Sequence, residues 1–557
     1  MVSDIVRTLL ERRGITDASE VEKFLKPDFV RDIHDPFLLN DMEKGVARLF
    51  DAMENGQRIA IYADFDCDGI PGASVLSDFF QKIGYTNMEV YIPHRDREGY
   101  GFHIEAINAL KARDVRVIIT VDVGTVAHAG VNHAQSLGID VIVTDHHEIY
   151  ADKPNAFALI NPKLDPYPFP NLCGAGVAWK LVCAMLIEGR ERKLLEFLSI
   201  PEGWEKWLLD LVAIATVADM VPLVGENRAL AHFGLTVLRK SPRLGLRELC
   251  ANARIPQATV TEDDIGFTFA PRINAASRMD APEIALKLLT TKDRTEAEEC
   301  AKLLESLNRK RKTVVGVIVR EAKLRAKKRF NENDRVVVLG DPDWKPALLG
   351  LAANSIMGDR GGVVVLWGRD ANGNLKGSAR SDGSISIVEL FSKAGDALID
   401  FGGHHASGGF SVSQDAVHTL PEVLKEVAES LQGEALEKKE ESEVLVTLRE
   451  VSWPLYTDLS RLAPFGIGNP KPVLRISRVS LGTLRIFGKE KNHVEVALSC
   501  FESGARARSF DFFRRAEDFS FLPTPGTAAD VLGTLVRDSF RGPDALALRL
   551  VDIVESK

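Results

Sequence analysis

The 557-residue chain has no apolar run near the roughly 20 residues that a membrane span requires. Its opening, Met1-Val2-Ser3-Asp4, lacks the basic and apolar regions of a secretory signal. Six cysteines, Cys67, Cys173, Cys183, Cys250, Cys300 and Cys500, show no C-x-x-C spacing. That excludes a zinc ribbon and a disulfide framework, and it fits a reducing cytoplasm. Positive charge is not in excess either: the net charge is −9, so any polyanion site has to be a local basic channel. No internal repeat is apparent. What is present, 45% apolar residues and a mean hydropathy near zero, describes a soluble globular protein too long for one core, and three or four domains are expected.

Asp64-Phe65-Asp66-Cys67-Asp68-Gly69 places three carboxylates at alternate positions directly after the apolar run 58–63. In extended backbone, alternate side chains share one face, so neighbouring carboxylates are expected within roughly 7 Å, and like charges that close need a cation or a shared proton. Two further β-type runs end in the same chemistry: residues 117–121 run into Asp122, and 139–144 into Asp145-His146-His147. A lone aspartate after a strand is commonly a turn or helix cap. Three such clusters at the same end of consecutive strands point instead to the ligand crevice of an open parallel sheet. Aspartates and histidines without cysteine suit Mn²⁺ or Mg²⁺. The carboxylates outnumber what one ion needs, and two ions bridged by a carboxylate form the apparatus of in-line phosphoryl displacement.

Residues 1–45 read as a helical lead-in, and 46–294 as an α/β domain in which β-type runs alternate with helix-period segments. Within it, 204–223 reads as one long apolar helix carrying Asp219. Residues 295–330, proline-free and apolar at helical intervals, predict a long connecting helix. Its basic residues, Arg309 to Lys312 among them, fit a solvated face and a wall for nucleic acid equally. A second α/β unit occupies 331–433, and beyond the charged stretch 434–443 the short β-type runs to 557 predict a small barrel. Glycines in Gly402-Gly403-His404 would let backbone N–H groups approach a phosphate, and Ser378 and Arg380 add a hydroxyl and a guanidinium. Arg95 offers a phosphate contact and Tyr100 a ring for an unpaired base.

These motifs resemble the DHH phosphoesterase superfamily and, within it, the RecJ-type single-stranded-DNA exonucleases. The resemblance rests on the Asp64–Gly69 cluster, Asp122, Asp145-His146-His147, Ala218-Asp219-Met220-Val221-Pro222-Leu223, Pro271-Arg272-Ile273-Asn274 with Arg278, Ser378 and Arg380, Gly402-Gly403-His404, and Phe465-Gly466-Ile467-Gly468-Asn469-Pro470. It implies a parallel-sheet DHH domain, a long helix to a DHHA1 domain, and a C-terminal OB-type barrel. It implies 5′→3′ release of mononucleotides from single-stranded DNA in repair and recombination. Asp66, Asp68, Asp122, His146 and Asp219 would hold two Mn²⁺ or Mg²⁺ ions, with Asp122 and Asp219 as bridges. Asp64 and Asp145 would support them, and His147 would meet the scissile phosphate. Arg272, Asn274, Arg278, Ser378, Arg380 and His404 would line the strand's path. Single-stranded-DNA-binding protein and a RecQ-type helicase are the implied partners of a monomer in the bacterial cytoplasm. The chain departs from the family pattern at Ile70-Pro71, at Val123 and at Lys345. Alternatives are an oligonucleotide or cyclic-dinucleotide phosphodiesterase of the same superfamily, or a non-catalytic scaffold in replication.

Overall fold

The apolar run after Gln57 forms strand β1 (Arg58–Ala63), and Gly69 opens helix α1 (Gly69–Lys82) behind it. The computed structural model describes residues 3–149, 152–279, 281–331, 334–431, 443–488, 491–500, 503–538, 541–542 and 545–556. They form two compact units, Ile33–Val221 with Gly225–Glu437, and Met1–Asp32 with Pro222–Val224 and Lys438–Lys557.

In the larger unit, β1 is joined by β2 (Met88–Tyr91), β3 (Val115–Val121), β4 (Asp140–Thr144) and β5 (Ala158–Ile160). The order is β2-β1-β3-β4-β5 and every pair is parallel. Helices Ile104–Ala112 and His128–Ser136 cover one face through Ile107, Leu110, Val131 and Ala134. On the other side α1 packs against β1 and α2 (Gly174–Glu191) against β3. Burial on both faces is why these strands read as unbroken Val/Ile runs. It also puts residues 64, 122 and 145 together at the carboxyl edge.

The 204–223 segment is not one helix. Trp204–Leu208 is a 3₁₀ turn, and α3 (Leu209–Ala218), buried on nearly every side, stops at Asp219. Met220 then takes a left-handed φ of 59° ahead of Pro222, which breaks the helix and leaves Asp219 at its end. Helix α4 (Ala270–Arg278) leads toward α5 (Arg294–Arg329), the expected connector, 36 residues long. Asp293 caps α5 by accepting from Glu296 N.

The second sheet comprises β6 (Val336–Gly340), β7 (Val363–Arg369), β8 (Leu375–Ser381), β9 (Asp400–His404) and β10 (Ser407–Val412), with α6 (Pro346–Arg360) crossing between β6 and β7. Its order is β6-β7-β8-β10-β9, and only β6–β7 is parallel.

In the smaller unit, β11 (Glu443–Val446) adds parallel to β12 (Val473–Phe487), which is followed by β13 (His493–Ser499), β14 (Arg506–Phe512), β15 (Ala528–Arg537) and β16 (Leu546–Glu555). The order β12-β13-β14-β16-β15 is closed by β12–β15 pairing into a five-stranded barrel of OB type. Val6, Leu9 and Leu10 of the N-terminal helix Asp4–Arg12 share its hydrophobic core, so the lead-in divides at Asp32. Buried Asn469 donates to the carbonyls of Leu462 (2.9 Å) and Pro464 (2.7 Å), and Leu223 N donates to Ile467 O at 2.8 Å. Of the charged stretch 434–443, residues 434–442 lie outside the described residues.

Candidate active site

Asp64 to Asp68 do not continue β1 as extended chain, so the alternate-face expectation fails in its geometry. Asp66 Oδ1 accepts from Asp68 N (2.7 Å) and Gly69 N (3.2 Å), turning the chain directly into α1. A Cβ on Gly69 would lie 2.3 Å from Asp64 O, so this turn requires glycine. The turn splits the carboxylates between two neighbouring groups. Donor atoms of Asp64, Asp66 and Asp122 lie within 4.8 Å of one another, and so do those of Asp68, His146 and Asp219. Asp122 also groups with His146 and His147. His146 Nε2 lies 3.1 Å from Asp122 Oδ1 and 3.6 Å from both Asp68 Oδ2 and Asp219 Oδ2.

These residues fit divalent cations. The buried oxygens Asp64 Oδ1 and Asp122 Oδ1 accept no hydrogen bond; the approach of His146 to Asp122 is close without being directed as one. Burial first, and neighbouring carboxylates second, push Asp64, Asp122 and Asp219 well above the ordinary carboxylate range. Asp68 is pushed up to about 7 by burial and the Asp66 charge, although Gly174 N (2.6 Å) and Ala175 N (2.7 Å) at the start of α2 both donate to it. Uncompensated negative charge of this kind is what a cation relieves. Asp122 sits at φ 60°, a left-handed conformation costing on the order of 1 kcal/mol that turns its carboxylate away from β3.

Asp145 is a buttress. Its Oδ1 accepts from His146 N (2.7 Å) and faces His147 Nδ1 at 2.7 Å, and its Oδ2 accepts from Thr125 N (2.8 Å). Burial would raise Asp145, but the His147 hydrogen bond and both imidazole charges hold it far below the usual range. Burial likewise opposes the charge on His147, yet Asp145 lifts it to about 9, while burial and the His147 charge lower His146 to about 4. His147 thus keeps Nδ1 on Asp145 and has Nε2 to offer as a donor. The Tyr100 hydroxyl, 3.4 Å from His147 Nδ1, also donates to Asp122 O at 3.3 Å.

Beside the acidic groups stands a basic one. Arg95, whose guanidinium lies 4.7 Å from the centre of the Phe65 ring, is lowered by burial against the pull of Asp64 and Asp66. Arg278 is lowered by burial and then by the charges of Arg95 and Arg311, and Arg380 by burial and then by Arg95. Among the described residues, Arg95, Arg278 and Arg380 have no carboxylate at ion-pair distance; Arg278 Nη1 donates to Ala347 O (2.6 Å), and Arg380 Nη1 to Ala379 O (2.7 Å) and Ser378 Oγ (3.0 Å).

Several expected contacts have other partners. Arg272 pairs with Glu305 at 2.8 Å and donates to Thr268 O, so the structure does not present it to the cluster. Asn274 Oδ1 accepts from Cys67 N (2.9 Å) and so holds the acidic turn. Gly402 and Gly403 belong to the exposed edge strand β9 and pair on one side with Gly409 and Gly408. A Cβ on Gly403 would lie 2.5 Å from Gly408 Cα, so the glycines serve close strand approach. His404 ends β9, with burial and the charge of His147 lowering its imidazole. The helix start at Gly174, Lys163 on Glu148 (2.5 Å) and Arg311 were not singled out at the site. Of these, only Cys173-Gly174-Ala175-Gly176 carries a local signal, a glycine-flanked helix start.

The departures from the family pattern have structural places. Pro71 lies in the first turn of α1, where no N–H is needed. Val123 points into the core formed by the Ile104–Ala112 and His128–Ser136 helices. Lys345 precedes α6 and pairs with Asp96 at 2.5 Å.

On the smaller unit, the outer face of β12–β14 is aromatic and basic. The rings of Phe487, Phe512 and Phe513 are centred 5.0–5.4 Å from that of His493, Phe513 is 82% exposed, and Arg485 stands over Phe487.

Comparison with known proteins matches residues 58–216 to the DHH family N-terminal domain, 333–433 to the DHHA1 domain and 442–552 to the RecJ OB domain. The single-stranded-DNA-specific exonuclease RecJ of Salmonella typhimurium is 31% identical, covering 84% of this chain and 82% of that protein. For the Bacillus subtilis RecJ the figures are 34%, 89% and 62%, so the match spans under two thirds of that relative. The crystal structure of RecJ from Thermus thermophilus in complex with Mn²⁺ superposes with a TM-score of 0.81 at 26% identity, covering 100% of this chain and 76% of that one. A manganese-bound exonuclease RecJ gives 0.62 at 31% identity, covering 72% and 97%. With its metal-type carboxylates, its three domain matches in order and relatives of this closeness, the chain belongs to the RecJ family of DHH phosphoesterases.

Proposed function

We infer that this chain is a metal-dependent exonuclease that degrades single-stranded DNA from its 5′ end to mononucleotides, in DNA repair and recombination. The observation that carries the reading is the nearness of opposites: carboxylates suited to two cations adjoin three guanidiniums that, among the described residues, have no carboxylate at ion-pair distance. Mn²⁺ or Mg²⁺, when bound, supplies Lewis acidity and a water of lowered pKa. Asp64, Asp66, Asp68, Asp122, His146 and Asp219 would hold the ions, with Asp122, shared between groups, as the bridge. Asp219 falls in only one group, so its bridging role has less support than that of Asp122.

His147, fixed by Asp145, donates from Nε2 to an oxygen of the scissile phosphate. Arg95, Arg278 and Arg380 anchor the 5′-terminal phosphate, which sets the direction of attack, and Tyr100 stacks on a terminal base. The aromatic face of the barrel binds the strand farther along. The reading includes supply of the strand by single-stranded-DNA-binding protein and a RecQ-type helicase, a monomeric state and a cytoplasmic location, each supported by the resemblance alone. Among the described residues, no helix is long and apolar enough to cross a membrane.

The test is hydrolysis of linear and closed circular single strands of one sequence, labelled at either end, with Mn²⁺. Early release of the 5′ label and an intact circle are expected. Cleavage of the circle at the linear rate, or first release of the 3′ label, would overturn the proposal.

A further inference from the structure

The loop between β2 and helix Ile104–Ala112 carries both Arg95 and Tyr100, yet its own domain supplies few fixed points for its outer turn. Glu98 accepts from Tyr91 Oη and His94 N (both 2.6 Å), and Tyr62 Oη donates to Gly101 O (2.8 Å), which pins the two ends. Between them Arg95 lies against the Phe65 ring and Tyr100 Oη reaches Asp122 O within the same domain, and two further anchors come from the second sheet domain. Lys345 Nζ pairs with Asp96 at 2.5 Å, with the two side chains 30% and 14% exposed, and Asn372 in the β7–β8 turn donates from Nδ2 to Arg97 O at 3.1 Å. The anchored residues, Asp96 and Arg97, directly follow Arg95 in sequence. The same helix start also receives Arg278, through Ala347 O, and about one turn on Gly350 leaves room for Arg380. A Cβ there would lie 2.6 Å from Arg380 Nη2. One short helix segment therefore touches, or holds the loop of, all three unneutralised guanidiniums.

We propose that Lys345 is a positioning residue: its ion pair with Asp96 latches the 94–101 loop of the catalytic domain onto the start of α6 and sets Arg95 against Arg278 and Arg380 for the terminal phosphate. A partly buried ion pair between two domains, hydrogen-bonded at one flank, holds geometry better than an exposed pair of the same charges. Lys345 touches no substrate atom; it acts through Asp96 on Arg95.

The proposal rests on the exonuclease reading, and the experiment separates the two. Steady-state hydrolysis by the full chain with Mn²⁺ is measured on a short single strand carrying a 5′-phosphate and on the same strand with a 5′-hydroxyl, alongside the thermal unfolding midpoint. Lys345→Ala and Asp96→Ala are each expected to raise KM for the phosphorylated strand roughly tenfold with kcat within about twofold. Lys345→Arg keeps KM near the parent value, and the exchange Asp96→Lys with Lys345→Asp recovers most of the loss. On the 5′-hydroxyl strand the effect of Lys345→Ala shrinks below about twofold, because the contact it positions is already missing. An unchanged KM in Lys345→Ala, an equal penalty on both strands, or a loss that follows a lowered unfolding midpoint without recovery in the exchange variant would overturn the latch. Absence of turnover by the parent protein would overturn the exonuclease reading instead.

Discussion

The acidic and the basic halves of the site are built alike and charged oppositely. In each, groups of one sign are gathered out of water, and some are held by backbone dipoles instead of counter-charges. Gly174 and Ala175 N–H grip Asp68 as Ala347 and Ala379 carbonyls grip Arg278 and Arg380. Buried ion pairs elsewhere in the same unit follow the other rule: Lys180 sits on Glu226 at 2.6 Å, and Arg243 on Asp210 at 2.9 Å. The difference teaches where ligands go. A paired buried charge is finished with; an unpaired one is kept for a visitor of opposite sign, a cation on one side and a phosphate on the other.

The severest way to break the acidic half is Asp122→Ala. Loss of the shared carboxylate should lower kcat by more than about 10³-fold while binding of single-stranded DNA, read by fluorescence anisotropy, persists. Retention of a tenth of the parent activity would remove Asp122 from the bridging role. On the basic half, Arg380→Ala should act mainly on KM, raising it by one to two orders of magnitude for a 5′-phosphorylated strand and by much less for a 5′-hydroxyl strand. Equal effects on both strands would mean that this guanidinium meets an internal phosphate.

The comparison sharpens when the cation is withheld. Asp64, Asp122 and Asp219 are raised in the fold and Asp68 reaches about 7. The folded chain therefore holds protons that the unfolded chain has lost between about pH 4 and pH 7, and stability falls as pH rises through that window. His146, lowered to about 4, works in the opposite direction up to the ordinary imidazole range, above which His147, raised to about 9, adds to the fall. With four carboxylates against one imidazole, the unfolding midpoint of metal-free protein should be lower at pH 8 than at pH 5, and Mn²⁺ should restore it at pH 8. A midpoint indifferent to both would show the carboxylates to be compensated within the protein. The smallest expected effect is on the barrel: Phe513→Ala should weaken binding of a long strand about three- to tenfold and leave a short oligonucleotide unaffected.

The metal-type residues were legible in the sequence because ligand chemistry is carried by residue type, and because parallel strands deliver their ends to one edge whatever the loops do. The path of the loops was not. Extended chain at 64–68 was expected from alternation alone, whereas the Asp66 side chain captures two N–H groups and makes a turn, so Asp64 is placed as a candidate ligand instead of a support. The run 204–223 has the hydrophobicity of a helix throughout, but its end is decided by one left-handed residue and a proline. The Gly402-Gly403 pair did not announce the strand it belongs to: it pairs with Gly409 and Gly408 at the edge of the second sheet. Arg272 illustrates the commonest limit: its Glu305 partner lies on another helix, and nothing local announces it.

Pro222–Val224 belongs to the barrel's unit although the residues on either side of it do not. The polypeptide is consequently stitched, not strung: a loop three residues long is lent to a neighbour and taken back, and Leu223 is buttoned to Ile467 within that loan. Asp219 stands three residues upstream of the stitch. Cutting away residues 445–557 would thus do more than shorten the grip on a strand, since it would leave a loose thread beside a metal-type carboxylate.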